Sequence, residues 1–390
     1  MQAMHFGRVW AEIDLDVLDA NIAAVRSVLG GRRLLLAVKA DAYGHGLREV
    51  GAAAADSVDV LGVASVEEGA SLRLAGVRTP VLVLSPIPYG EIPGLFDHGL
   101  TPSVTEPEFA RLLSAEAARR TTTVGFHVEV DTGMGRTGVD ADRAFGLITG
   151  TARLPGLRLE GVFTHFPAAD SDISFSEGQL REFHALVERL RGAGLKDFLA
   201  HSANTAALLN IADSGLDLVR PGLLAYGILP DSYALGRRTT SVEVRPVMRL
   251  RSRIVNLRRV AAGRSVSYER AWFTRRDSRI AVITAGYGDG YPWSMKDRGL
   301  ALVRGRRVPI VGNVCMDLTM LDVTDVPEAS IDDRVTLLGA DGGETITANE
   351  LATRAETIPY EIICRVSPRV PRVYLRGGKV TKVRNLLNHD

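Results

Sequence analysis

The stretch Leu34-Leu35-Leu36-Ala37-Val38-Lys39-Ala40-Asp41-Ala42-Tyr43-Gly44-His45-Gly46 decides how the chain is read. Five apolar residues in a row have the length and character of a strand buried on both faces. A lysine ends the run, and turn-forming residues follow at once. A buried amine loses solvation in its charged form, so its pKa falls, and a partly neutral amine can attack an aldehyde to form a Schiff base. Taken alone, the stretch fits equally well a surface lysine just beyond a core strand. Its surroundings decide between the two.

Outward from this run, short apolar segments alternate with longer helix-like ones. The strand candidates are 34–39, 60–64, 81–84, 101–104, 123–130, 157–164, 198–201 and 217–219, of which 101–104 is the weakest. Helical character falls at 66–75, 106–120, 141–152 and 174–192, and Asp14 is placed to cap a first helix reaching Leu29. Eight apolar strands separated by helices predict an α/β fold, a (β/α)8 TIM barrel. Polar residues gather at the C-terminal ends of these strands: Lys39, then Glu129 and Asp131, His165, His201 with Ser202, and Arg220. A barrel brings those ends to one mouth, where such folds place their active sites. Within Phe126-His127-Val128-Glu129-Val130-Asp131 the polar residues recur at every second position. They share a face that points into the barrel, and Arg136 is the expected partner for a carboxylate there.

The rhythm changes after residue 230. A loop with Arg237-Arg238 and Thr239-Thr240-Ser241 leads to 242–257, rich in β-branched residues and arginine, and short strand-like runs follow at 280–284, 300–303, 308–311, 319–323 and 334–338, with one helix at 347–356. Two domains are therefore expected. Residues 1–240 form the cofactor-binding barrel, with 1–13 as a strand that joins the second domain. Residues 241–390 form a mainly β domain. Forty-seven Lys and Arg balance 46 Asp and Glu, which argues against a nucleic-acid or membrane-surface partner. The absence of a secretory apolar segment and the spacing of Cys315 and Cys364 point to a cytoplasmic, reduced protein.

The residues at the mouth lack an obvious metal set. Zinc wants three or four His, Cys or carboxylate ligands; His165 with His201 and Asp131 is an alternative that is not favoured, and the metal expectation is none. Ser202, at the start of a helical segment 203–210, and Arg220-Pro221-Gly222-Leu223 both offer main-chain N–H groups to a phosphate. A lysine near a phosphate site fits pyridoxal 5'-phosphate.

At this point the residues carry a resemblance. Val38 to Gly46 is similar to the cofactor-attachment motif of the alanine racemase family, pyridoxal-phosphate enzymes of fold type III. Val130-Asp131-Thr132-Gly133-Met134-Gly135-Arg136, Phe163-Thr164-His165-Phe166, His201-Ser202-Ala203-Asn204, Arg220-Pro221-Gly222, Val266-Ser267-Tyr268, Gly286 to Gly290, Cys315-Met316-Asp317 and Tyr360-Glu361 resemble further family motifs in the family's order. The resemblance implies interconversion of L- and D-alanine by two bases. Lys39 would hold the cofactor and serve as one base. Tyr268 would be the other, on the opposite face, reaching in from the partner of a homodimer. Tyr43, Ser202, Gly222, Leu223 and Tyr360 would hold the phosphate, and Arg220 would face the pyridine nitrogen. Arg136 would lie near the phenolic oxygen and the substrate carboxylate, His165 would sit beside the ring, and Met316 would offer its main chain to the substrate carboxylate.

Three positions depart from the family. A lysine that is often carbamylated is replaced by Glu129, which is expected to supply the negative charge directly. Arginines common along the entrance corridor are replaced by Trp293 and Asn313, which raises a broader-specificity racemase, with serine as the first substrate to test. Two other readings are a fold-type-III decarboxylase, opposed by Arg220 because those enzymes put a carboxylate at the pyridine nitrogen, and a non-enzymatic cofactor carrier, opposed by the long C-terminal region.

Overall fold

The computed structural model describes residues 6–230 and 240–387; of the loop expected at 237–241, Arg237, Arg238 and Thr239 lie outside them. The chain divides into two compact units, one of Asp19–Ala42 and Leu47–Val244, the other of Met1–Leu18, Tyr43–Gly46 and Arg245–Asp390.

In the first unit the short apolar runs are too continuous to leave one face in water, so they pair in parallel beneath their helices. The strands are Arg33–Ala37, Val60–Val63, Val81–Val83, Thr101–Val104, Val124–Asp131, Leu157–Phe163, Leu199–His201 and Leu218–Val219. Each pairs in parallel with its neighbour in this order, save the last two, and Leu218–Val219 returns to the first strand at Arg33 and Leu34. Main-chain bonds from Asp217 to Ala200 and from Arg220 to Ala203 close the remaining gap. The unit is a (β/α)8 barrel, and Leu35, Leu82 and Leu218 are packed in its core. The weak fourth strand is real. Ser103 hides its hydroxyl by donating to Val83 O at 2.7 Å, which lets a polar residue sit in a buried strand.

Helices start where side chains satisfy their first N–H groups. Ser65 accepts from Glu68 N, Glu106 from Phe109 N and Asp172 from Phe175 N.

The second unit is mainly β. Its sheet runs in the order Arg306–Pro309, Leu300–Val303, Arg334–Asp341, Met248–Val260, Val9–Asp14, Arg372–Arg376 and Lys379–Arg384. The N-terminal strand Val9–Asp14 lies antiparallel to Met248–Val260 and parallel to Arg372–Arg376. Ser278–Ile283 pairs with the far half of Met248–Val260 after a bulge between Ile254 and Asn256, and also with Thr319–Asp322. Val260, Ile280, Val311 and Met320 form a core beneath it.

Candidate active site

The strand that opens the barrel stops at Ala37, so Lys39 stands two residues beyond it rather than at its end. Lys39–Tyr43 is a helical turn, but Ala40, Asp41 and Ala42 have φ of 53–54°, in the left-handed region. Each L-residue there costs roughly 1–2 kcal/mol, so a local polar framework must hold it. Ala40 N–H donates to Glu68 Oε1 at 2.7 Å, Leu47 N–H to Asp41 Oδ1 at 2.8 Å, and Val38 N–H to Gly62 O at 2.8 Å. Lys39 is half-buried, and among the described residues its amine has no hydrogen-bond or ion-pair partner. Burial, and then the charge of Arg136, pull it below the usual lysine range.

Arg220 is buried and points its guanidinium at Thr164 O (2.7 Å), Ser202 O (3.1 Å) and His201 Nδ1 (2.7 Å). A guanidinium can only donate, so His201 Nδ1 must accept and its proton must sit on Nε2. That proton is given to His127 Nδ1 at 2.8 Å, which fixes the second ring's tautomer as well. Burial and the neighbouring Arg220 hold His127 down to about 3 and His201 well below the ordinary histidine value. Both rings are therefore neutral. Gly161 makes room for them, because a Cβ there would lie 2.3 Å from His127 Nδ1. Burial, partly opposed by Glu129, lowers Arg220 itself to about 10, so it stays charged at neutral pH. Its Nε–H and one Nη1–H meet no acceptor among the described residues.

His165 follows the sixth strand and is also kept neutral, lowered to about 3 by burial and then by Arg220, Arg136 and Lys39. Glu129 is buried on the inward face of Val124–Asp131, as its alternation with Val128 and Val130 requires. Its contact is not the expected Arg136 but Thr137, whose hydroxyl donates to Oε2 at 2.8 Å. Burial raises the Glu129 carboxyl, while Thr137, Arg136 and Arg220 hold it down. Asp131 accepts from the N–H groups of Gly133, Met134 and Gly135 at 2.7–2.8 Å and so folds the loop that carries Arg136, which is exposed.

The anion-binding expectation changes in detail. The helix after Ser202 begins only at Thr205, with Asn204 as its cap, and the Ser202 hydroxyl donates to Ser214 O at 2.7 Å. Gly222 N–H is already engaged by Thr205 Oγ1 at 3.1 Å. The main-chain N–H groups of Ser202 and Leu223, both in buried residues, find no acceptor among the described residues. Buried N–H groups without an acceptor are costly and rare, and an anion satisfies them.

In the second unit the rings of Tyr43 and Tyr360 lie 6.0 Å apart, and burial pushes the Tyr43 hydroxyl up. Tyr268 is 71% exposed and Met316 54%. Met316 O accepts from Gly288 N–H at 2.9 Å and from Arg369, and Cys315 O accepts from Tyr287 N–H. Met316 N–H is left without an acceptor among the described residues. Arg8 and Arg369 brace this loop by pairing with both Asp289 and Asp317. Asn313, expected on the entrance route, is buried against the backbone beside Tyr268. Trp293 is exposed and stacks with Lys296. The sequence reading did not single out Thr137, Thr205, Arg8 or Arg369, because each acts through a fold contact that carries no local signal. His127 was visible only as an inward-facing residue. Among the described residues no group of His, Cys, Asp or Glu has the geometry of a metal site. No helix there is long and apolar enough to cross a membrane.

A (β/α)8 barrel beside a mainly β unit sets the class of fold, and the barrel carries an unpartnered amine of lowered pKa and an arginine backed by neutral imidazoles. The particular family follows from comparison with known proteins. Residues 13–230 match the alanine racemase N-terminal domain and residues 247–374 its C-terminal domain. Alanine racemase of Halothermothrix orenii is 39% identical over 368 residues, covering 94% of this chain and 96% of that protein. That of Desulfosudis oleivorans is 39% identical over 381 residues, covering 95% and 97%. The solved alanine racemase of Clostridium difficile 630 superposes with a TM-score of 0.91 at 30% identity, covering 98% of this chain and 99% of that one. The one from Bacillus anthracis, solved with bound L-Ala-P, gives 0.90 at 32% identity over the whole of both chains. The chain belongs to the alanine racemase family and is an isomerase. These relatives give no support to the decarboxylase, carrier or broader-specificity readings.

Proposed function

We propose that the protein interconverts L- and D-alanine with pyridoxal 5'-phosphate, using Lys39 and Tyr268 as bases on opposite faces of the substrate. The observation that carries the proposal is the unpartnered Lys39 amine, held below the usual lysine range by burial and then by the charge of Arg136. The cofactor fits the residues present. Lys39 would bind its aldehyde, the unsatisfied N–H groups of Ser202 and Leu223 would take the phosphate, and the spare Arg220 donors would take the pyridine nitrogen. In this reading Tyr43 and Tyr360 add to the phosphate grip, and Gly222 adds its N–H only when that group leaves Thr205 Oγ1.

When bound, the cofactor withdraws electrons and makes the substrate Cα–H acidic. Lys39 takes or returns the Cα proton on one face, because a lowered pKa leaves part of its Nζ neutral and able to accept a proton. Arg220 keeps its charge because the histidines behind it stay neutral, and a cation at the ring nitrogen disfavours protonation there. That restrains side reactions. Arg136 and the free Met316 N–H bind the substrate carboxylate, and Glu129 balances the cations around them. His165, being neutral, orients Tyr268 without adding charge.

Tyr268 and Met316, exposed in their own unit, serve the site of a second copy in a homodimer. Exposed Tyr287, Trp293 and Ile358 in that unit supply apolar surface for the contact. The expected assay result is D-alanine from L-alanine, without carbon dioxide. Tyr268→Phe should lower kcat by about 10²–10⁴-fold, the usual share of an acid–base residue, and leave cofactor absorbance intact. Lys39→Ala should lose both. Full activity in Tyr268→Phe would refute the two-base reading.

A further inference from the structure

Tyr268 sits in the loop of a two-strand hairpin, Ser265–Val266 against Trp272–Phe273. Ser267 has φ 75° and ψ 178°, Glu269 φ 60° and Arg270 φ 51°. Tight hairpin loops use Gly or Asn where φ is positive. This loop contains neither, so its own residues do not favour its shape, and something outside it must hold it.

Within the hairpin Ala271 N–H donates to Tyr268 O and Arg270 Nε–H to Ser265 Oγ, each at 3.2 Å; the hydrogen bonds from outside it come from one segment. Ser267 Oγ donates to Asn313 O at 3.0 Å, and Asn313 Nδ2 donates to Tyr268 O at 3.0 Å. Because the acceptor is a carbonyl, the amide orientation is fixed with Nδ2 toward the loop. Gly312, at φ 72°, lets the backbone close in, since a Cβ there would lie 2.5 Å from that of Ser267. Asp297 Oδ1 pins Gly312 N–H at 2.6 Å. Asn313 is 4% exposed, and its Oδ1 has no partner among the described residues. A buried amide with one unsatisfied end contributes little to stability. Its satisfied end grips the residue that carries the proposed base.

We propose that Asn313 is a positioning residue for Tyr268: its side-chain amide holds the glycine-free loop in the strained shape that presents the phenol. The inference rests on the reading of Tyr268 as a base. Asn313→Asp keeps the volume but replaces the donor with a carboxylate facing a carbonyl. Asn313→Leu, near in shape, removes both the donor and the unsatisfied oxygen. Each is measured as cofactor-loaded enzyme beside Tyr268→Phe.

In both Asn313 variants kcat/KM should fall about five- to tenfold, the shift one lost hydrogen bond allows. The fall should be equal in the two directions, as the equilibrium between enantiomers requires. The thermal midpoint of Asn313→Leu should hold or rise. The α-deuterium isotope effect should increase for the enantiomer whose Cα hydrogen faces Tyr268 and decrease for the other, a split that a purely structural role cannot produce. Unchanged rates and isotope effects in the folded variants would overturn the inference. So would loss of folding in both, because the amide would then be holding the unit and not the loop. Unchanged activity in Tyr268→Phe would remove the reading beneath it, whereas an inactive Tyr268→Phe beside wild-type Asn313 variants would remove this inference alone.

Discussion

Glu129 and glutamine differ in charge and hardly at all in shape. The Glu129 carboxylate is buried, bonded to Thr137, and within the fields of Arg136 and Arg220. Glu129→Gln should keep the Thr137 contact while leaving those cations less balanced. The expected result is a several-fold weaker cofactor affinity and a lower kcat, read from cofactor titration and racemisation rates. If neither moves, the charge of Glu129 has no role in the site. Lys39 was legible in the sequence because five apolar residues run straight into it, and Glu129 because its strand alternates. Its true contact was not legible. Arg136 and Thr137 are neighbours in the chain, and which of them turns inward depends on the loop that Asp131 folds. The bond between Asn313 and Tyr268 joins residues 45 positions apart and leaves no local pattern at all.

At the scale of elements, the eight barrel strands could be read almost to their ends, since each is an apolar run bounded by turn residues. The left-handed turn after Lys39 could not. Ala-Asp-Ala has no preference for it, and the shape is held by Glu68 on Ala40 and by Leu47 on Asp41. The residues Tyr43–Gly46 belong to the mainly β unit. There the buried Arg372 donates to Gly44 O, and also to Val366 O, Ser367 O and Val370 O just past the short helix that bears Tyr360. The strand that carries Arg372 was missed, because Arg-Val-Tyr-Leu-Arg reads as surface until its first arginine is seen to be buried. Arg372→Leu strands several buried carbonyls. It should cost at least ~3 kcal/mol, at about 1–3 kcal/mol for each unsatisfied group. A urea titration of the whole protein would read this as a lowered midpoint, and an unchanged midpoint would contradict the role.

For the whole molecule, two expectations follow. His127 and His165, both held to about 3, and His201, held well below the ordinary value, stay neutral when folded but take up protons when unfolded. Their folded pKa values are depressed, so the stability they support is complete above about pH 6.5 and is lost as pH falls toward 3. Glu129, whose pKa is raised, works weakly in the opposite sense. Thermal midpoints measured downward from pH 7.5 should therefore drop, and His127→Gln should flatten the slope. The shared-site dimer has a sharper test. Lys39→Ala and Tyr268→Phe, each nearly inactive, should recover about one quarter of wild-type activity when co-assembled in equal amounts, since half the dimers then hold one intact site of two. No recovery in verified mixed dimers would exclude shared sites.

The hydrogen bond between Gly44 and Arg372 spans 328 positions. On a ribosome, at roughly 5–20 residues per second, the two ends of that bond emerge tens of seconds apart. The segment just after the lysine is thus among the first parts of the chain to be made and among the last to find its companions. Until then Gly44 cannot be gripped by Arg372, and Val9–Asp14 waits equally long for the strand that carries that arginine. A nascent chain halted before residue 372 should leave the segment around Gly44 open to protease, even where the barrel strands Arg33–Ala37 and Val60–Val63 on either side of it are already protected, whereas Val9–Asp14 can by then pair with Met248–Val260.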